Sequence, residues 1–129
     1  MRSDAFRAAA EAKDFGAAEE LFAEDAVFRS PVVFKPYQGR EAISVLLGAV
    51  VRVFEDFRYL EQVETGDVAV LMFEARVGDR ALQGVDILKF GADDRIAEMT
   101  VMVRPMSGVH ALAEAMKRML EEAGQAPGS

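Results

Sequence analysis

The sequence predicts an α+β fold in which a curved antiparallel sheet and short N-terminal helices enclose a pocket, with one further helix at the C-terminal end. Three observations predict it. Apolar residues recur at helical spacing from Ser3 to Phe22 and again from Arg40 to Phe54, the period changes to two between Phe57 and Arg104, and a helical stripe returns after Pro105.

The first segment, Ser3 to Lys13, is Ala-rich, with Ser3 or Asp4 placed to cap it and Phe6, Ala9 and Ala10 on one face. Asp14 reads as a second cap, opening a short helix whose Phe15, Ala18, Leu21 and Phe22 face inward; Asp14 and Gly16 break the run into two helices. The segment AVFRSPVVF is rich in β-formers but interrupted by Pro31, which suits an edge strand or a loop leading into the pocket. After Pro36-Tyr37-Gln38-Gly39 a helix begins at Arg40 or Glu41, with Ile43, Leu46, Leu47, Val50 and Phe54 along one stripe.

Four strands follow, approximately Phe57 to Glu64, Val68 to Val77, Ala81 to Phe90 and Ile96 to Arg104, joined by turns short enough for hairpins. Leu71, Phe73 and Ala75 alternate with Met72, Glu74 and Arg76, and Asp86, Leu88 and Phe90 alternate with Val85, Ile87 and Lys89. Neither face of the later strands is fully polar. One face needs the helices as cover and the other needs a partner, so a homodimer through the outer face around Val85, Ile87 and Met102 is expected. Pro105 stops the sheet, and Ser107 can cap a last helix carrying Val109, Leu112, Ala113, Met116, Leu120 and Ala123. Gly124 can end it. Residues 1–124 then form a single domain and 125–129 a flexible tail.

A chain of 129 residues suits one core. With no cysteine there is no disulfide, thiolate nucleophile or Cys-type zinc site, which agrees with a reducing cytoplasm, the expected location. Met1 to Lys13 lacks the apolar run of a secretory signal, and no stretch reaches the roughly 18 apolar residues of a spanning helix. The formal charge of −7, with scattered Lys and Arg, argues against nucleic acid and anionic membrane as partners. One histidine and no cysteine leave only carboxylates for a metal, and Asp93-Asp94 lacks the spacing of a calcium loop. Around Gly39-Arg40 there is no glycine-rich phosphate loop, so no cofactor is expected.

Three segments carry a family resemblance. DFGAAEELFAEDAVFRSP is similar to the second helix and first strand of the nuclear transport factor 2-like superfamily, PYQGREAI to its loop into the third helix, and GVDILKFGADDRIAEMTVMVRP to its last hairpin. The pattern most resembles the SnoaL-like and ketosteroid-isomerase-like branch, which implies a cone-shaped sheet. That superfamily contains isomerases, cyclases, epoxide hydrolases, dehydratases, binders and adaptors, so the reaction must be argued from residues.

Ketosteroid isomerases combine a carboxylate base with a tyrosine and a protonated acid that hold an enolate oxygen. The resemblance puts the base where this chain has Ser30, the tyrosine where it has Phe6, and the acid at Asp86. A serine hydroxyl does not abstract a carbon-bound proton unaided. Epoxide hydrolases of this fold orient water with two acids and an arginine; Arg76 matches the arginine, but Gly78 and Val101 stand at the acids. A SnoaL-type cyclase needs a single acid–base carboxylate, which Asp86 can supply.

Asp86 is therefore the candidate catalytic residue. It interrupts an apolar stripe, and a buried carboxyl must be protonated, paired or hydrogen-bonded. The plainer alternative is a structural acid satisfied by Arg76, Arg104 or a backbone amide. Glu74 shares a stripe with Met72 and Arg76 and reads as an outward ion-paired residue. His110, alone near Ser107, has no nucleophile elbow around it and reads as surface. Phe28, Phe54, Phe73, Asp86, Met99 and Val101 are the expected pocket lining, drawn from a Phe- and Met-rich inventory that also includes Phe34, Phe90, Met72 and Met102. The expected function is binding of a small apolar or aromatic molecule; the alternatives are a cofactor-independent isomerase, cyclase or dehydratase using Asp86, and a protein-interaction module.

Overall fold

The computed structural model describes residues 1–122. In chain order it holds α1 (Asp4–Glu11), α2 (Phe15–Glu20), β1 (Phe22–Arg29), β2 (Tyr37–Gln38), α3 (Arg40–Val53), β3 (Glu55–Thr65), β4 (Val68–Val77), β5 (Arg80–Phe90), β6 (Ile96–Arg104) and α4 (Met106–Glu122). The expected helix end at Gly124 and the tail from Gln125 lie outside the described residues.

The strands form one curved, open sheet in the order β2-β1-β6-β5-β4-β3. It is mixed rather than wholly antiparallel, because β1 runs parallel to β6. Parallel neighbours need a long connection, and here everything from β2 to β5 supplies it. The meander from β3 to β6 is antiparallel throughout, with Leu71 opposite Asp86 and Asp86 opposite Val101.

Two expectations are corrected around β1. Leu21 and Phe22 do not extend the second helix: Leu21 caps α2, and Phe22 opens β1 with its side chain fully buried. Nor is β1 an edge strand. Pro31 falls after its last residue, so no ladder bond is lost, and β2 covers the outer side through Val27–Gln38 and Phe28–Tyr37 pairs. Phe54, expected on the α3 stripe, caps that helix in an extended conformation and turns its ring into the core.

Specific polar contacts hold the helices over the sheet. The Ser3 hydroxyl does not cap α1, because it donates to the Glu64 carboxylate at the end of β3 at 2.7 Å, and the Ser3 amide donates there too. That tie lays Phe6 and Ala9 over the sheet. A Schellman arrangement closes α1: the Asp14 amide donates to the Ala9 carbonyl and the Lys13 amide to that of Ala10, with Lys13 in the left-handed region at φ 56°. Asp14 then caps α2 by accepting from the Ala17 amide at 3.0 Å. Gly39 starts α3 at φ 94°, a conformation that favours glycine, and the Arg40 guanidinium donates twice to the Phe22 carbonyl, pinning α3 to the start of β1.

Burial follows the alternation read from sequence. Leu71, Phe73, Ala75, Leu88 and Phe90 face the helices, while Met72 and Met102 are exposed on the outer face. No helix among the described residues is long and apolar enough to cross a membrane.

Candidate functional site

Between the concave face of the sheet and the helices lies a cavity of about 300 Å³. Its walls are hydrocarbon: Phe6 from α1, Phe28 from β1, Leu46, Leu47 and Val50 from α3, Met99 and Val101 from β6, and Leu112 and Met116 from α4 all line it. At its buried end sit two polar groups. Asp86 on β5 is 5% exposed, and Tyr59 on β3 is equally enclosed. The Tyr59 hydroxyl donates to Asp86 Oδ2 at 2.6 Å.

That bond is the carboxyl's only hydrogen bond among the described residues, and Asp86 lines the cavity, so its second oxygen is left for whatever enters. Loss of water around the carboxyl penalises its charged form and pushes its pKa from 3.8 up to about 7, against a smaller opposing effect of the Tyr59 hydrogen bond. Burial also pushes the Tyr59 phenol upward, reinforced by the Asp86 charge, so tyrosine stays a donor at any physiological pH. Near neutrality the pair thus holds one proton that can leave or arrive. A protonated Asp86 offers an O–H donor to the cavity, and an ionised one offers an acceptor.

Aromatic rings fix Tyr59. Its ring meets Phe57 edge-on at 4.9 Å and Phe73 at 6.3 Å, and Phe54 stacks on Phe57 at 5.7 Å. Phe57 and Phe54 line the cavity. Phe73, expected in the lining, lies behind them instead, over Gly84, where any Cβ would stand 2.4 Å from the Phe73 ring. The other expected lining residues, Phe28, Phe54, Asp86, Met99 and Val101, all border the cavity.

Asp86 is not the ion-paired acid of the plainer alternative. Arg76 is engaged with Asp56 at 2.9 Å, and Arg104 donates to Gln83 at 2.7 Å. Glu74 pairs with Arg58 on the outer face. Phe34 is 99% exposed at the tip of the loop after β1, and His110 and Ser107 are exposed at the start of α4, outside the lining. Ser30 does border the cavity, with its hydroxyl accepting from the Val32 amide at 3.1 Å in a local turn.

Sequence reasoning missed Tyr59. The resemblance directs attention to the first helix for a tyrosine, where Phe6 stands, whereas this one comes from β3. Its signal was modest: a tyrosine two residues from Phe57, on the inward phase of a strand whose register then shifts between Tyr59 and Glu61.

A model of the SnoaL-like domain family matches residues 4–99, which include every element from α1 to β5 and part of β6. This chain belongs to the SnoaL-like domain family. Among solved structures, this SnoaL-like domain is similar to a steroid delta-isomerase from Pseudomonas aeruginosa, at 44% identity and a TM-score of 0.88, covering 92% of this chain and 88% of that one. It is also similar to an uncharacterized protein with a cystatin-like fold from Silicibacter pomeroyi, at 28% identity and a TM-score of 0.92, covering 95% of this chain and 87% of the other. A candidate SnoaL-like polyketide cyclase from Shewanella denitrificans shares the fold at 19% identity and a TM-score of 0.68, over 88% of this chain and 95% of that one. No curated protein matches. The site of this SnoaL-like domain joins one buried carboxyl, Asp86, to one buried phenol, Tyr59, at the end of an apolar cavity.

Proposed function

We propose that the protein binds a compact apolar or aromatic molecule in the cavity, with an oxygen function of the ligand seated against Asp86 and Tyr59. The observation that carries this reading is a lone carboxyl, joined to a tyrosine, at the buried end of a hydrocarbon-walled cavity of about 300 Å³. That volume is at the lower end of the roughly 300–1,000 Å³ range of small-molecule sites, which favours a ligand of a few rings. An interior packed solid would have favoured the interaction-module alternative.

The apolar walls would supply affinity by removing ligand surface from water. Asp86 would supply orientation, because leaving its free oxygen unmatched beside a ligand costs about 1–3 kcal/mol. Equilibrium dialysis with 2-naphthol and naphthalene tests this. We expect 2-naphthol to bind about tenfold more tightly than naphthalene, and Asp86→Leu to remove that advantage while naphthalene binding stays. Equal binding of the two compounds by the wild type contradicts the seating of an oxygen at Asp86.

A second reading has a specific observation behind it. A carboxyl that titrates at about pH 7 matches the working pH of an acid–base catalyst, and the 44%-identical neighbour bears the name steroid delta-isomerase. In that reading Asp86 itself transfers the proton, since Ser30 occupies the place of a separate base. With a steroid whose double bond can shift as assay substrate, Asp86→Asn should lower kcat by roughly 100-fold or more with little change in KM. No turnover by the wild type across a panel of such steroids leaves the binding reading alone.

A further inference from the structure

At the open end of the cavity only Lys13, Asp14, Phe15 and Lys117 are both exposed and part of the lining. We propose that Lys13 and Lys117 form an anion-recognition site at the mouth, so that the ligand is two-ended: an oxygen function at Asp86, an apolar body, and a carboxylate or similar anion held between the two ammonium groups. This rests on the binding function proposed above and narrows its ligand class.

Three observations carry it. First, two ammonium groups border one opening, whereas the chain as a whole carries −7. The mouth also holds one carboxylate, Asp14, which accepts from the Ala17 amide, so the two lysines still leave it net positive. Second, neither lysine forms an ion pair among the described residues, so both ammonium groups can meet an anion. Third, Lys13 occupies the left-handed position of the Schellman arrangement that ends α1, at φ 56°. Glycine is the default there because a Cβ is disfavoured, so a long cationic side chain stands at the mouth against the local backbone preference. Lys117 itself borders the cavity beside Met116 and Leu120 of α4, which also line it.

An ammonium is a compact point charge that suits an exposed carboxylate, sulfate or phosphate, and a mouth in water selects such a group at little desolvation cost. The apolar walls exclude a ligand that is charged throughout. What fits both ends is an aromatic or alicyclic hydroxy or keto acid.

The test compares 6-hydroxy-2-naphthoate with 2-naphthol, which differ by one carboxylate at the far end of the rings, by equilibrium dialysis against three proteins. We expect Lys13→Gln/Lys117→Gln to weaken 6-hydroxy-2-naphthoate binding roughly three- to tenfold and 2-naphthol binding by less than about twofold. Arg80→Gln/Lys89→Gln makes the same change in net charge at exposed positions outside the cavity lining and should leave both compounds within about twofold of wild type. The inference is overturned if the mouth variant leaves 6-hydroxy-2-naphthoate binding unchanged, weakens both compounds equally, or does no more than the distant variant. Failure of 2-naphthol to bind the wild type overturns the cavity reading itself, which separates the two outcomes.

Discussion

Asp86→Asn keeps the shape of the side chain, keeps an acceptor for the Tyr59 hydroxyl and removes the ionisable proton. In the wild type the folded chain holds that proton up to about pH 7, whereas the unfolded chain releases it near 3.8. Between those values the folded state binds more protons than the unfolded one, so unfolding free energy falls as pH rises, and the loss is complete above about pH 8. Well below pH 3.8 both states are protonated and the pH dependence vanishes. A displacement of about 3 pKa units corresponds to about 4 kcal/mol, a large fraction of the stability of a domain this size. Asparagine carries no such penalty. Urea unfolding of both proteins at pH 4.5 and pH 8, at one protein concentration, should show the stability difference moving in favour of Asp86→Asn by about 3–4 kcal/mol at the higher pH. Every other titrating group is common to both proteins and cancels. A difference that does not change with pH, or that moves in favour of the wild type, refutes the argument that the carboxyl is held in a dry site.

Tyr59→Phe removes the bond that favours ionised Asp86, so the carboxyl midpoint in a carbon-detected NMR titration should rise above 7 by about one unit; a fall contradicts the assigned donor direction. Gly84→Ala forces a Cβ to within 2.4 Å of the Phe73 ring and 2.6 Å of the Met102 carbonyl, and should cost about 1–3 kcal/mol in urea unfolding; an unchanged midpoint would mean that Phe73 does not depend on that gap. The outer sheet face exposes Met72, at 45%, and Met102, at 56%, beside half-buried Val85 and Ile87, and we predict that two copies associate through it. Sedimentation should report a dimer for the wild type and a monomer for Val85→Lys/Met102→Lys. A monomeric wild type at working concentrations contradicts that expectation.

The residues that could be read from sequence are those governed by local rules. The β4 and β6 bounds follow from period-two alternation between tight turns, and Asp14 caps α2 as its chemistry dictates. Asp86 stood out because a charged residue in an apolar stripe must be explained wherever the strand goes. What failed depended on partners distant in the chain. β2 is two residues long and exists only because β1 lies beside it. The parallel pairing of β1 with β6 leaves no trace in either segment's alternation. Tyr59 reaches Asp86 across the intervening β4, diagonally, since Tyr59 lies opposite Phe73 and Asp86 lies opposite Leu71. No pattern within EDFRYLEQVET announces that contact. Lys13 was equally hidden, because a lysine after an Ala-rich helix reads as ordinary surface until its left-handed backbone and its place at the cavity mouth are known.

Ligand binding at this site depends on a hollow interior with the Asp86 carboxyl facing into it. A crystal structure of the protein grown with 2-naphthol addresses that claim most directly. The rings should lie between α3 and β6, with the hydroxyl oxygen about 2.6–3.2 Å from the free oxygen of Asp86. Rings found on the outer sheet face, or a cavity closed by its own side chains, would contradict it.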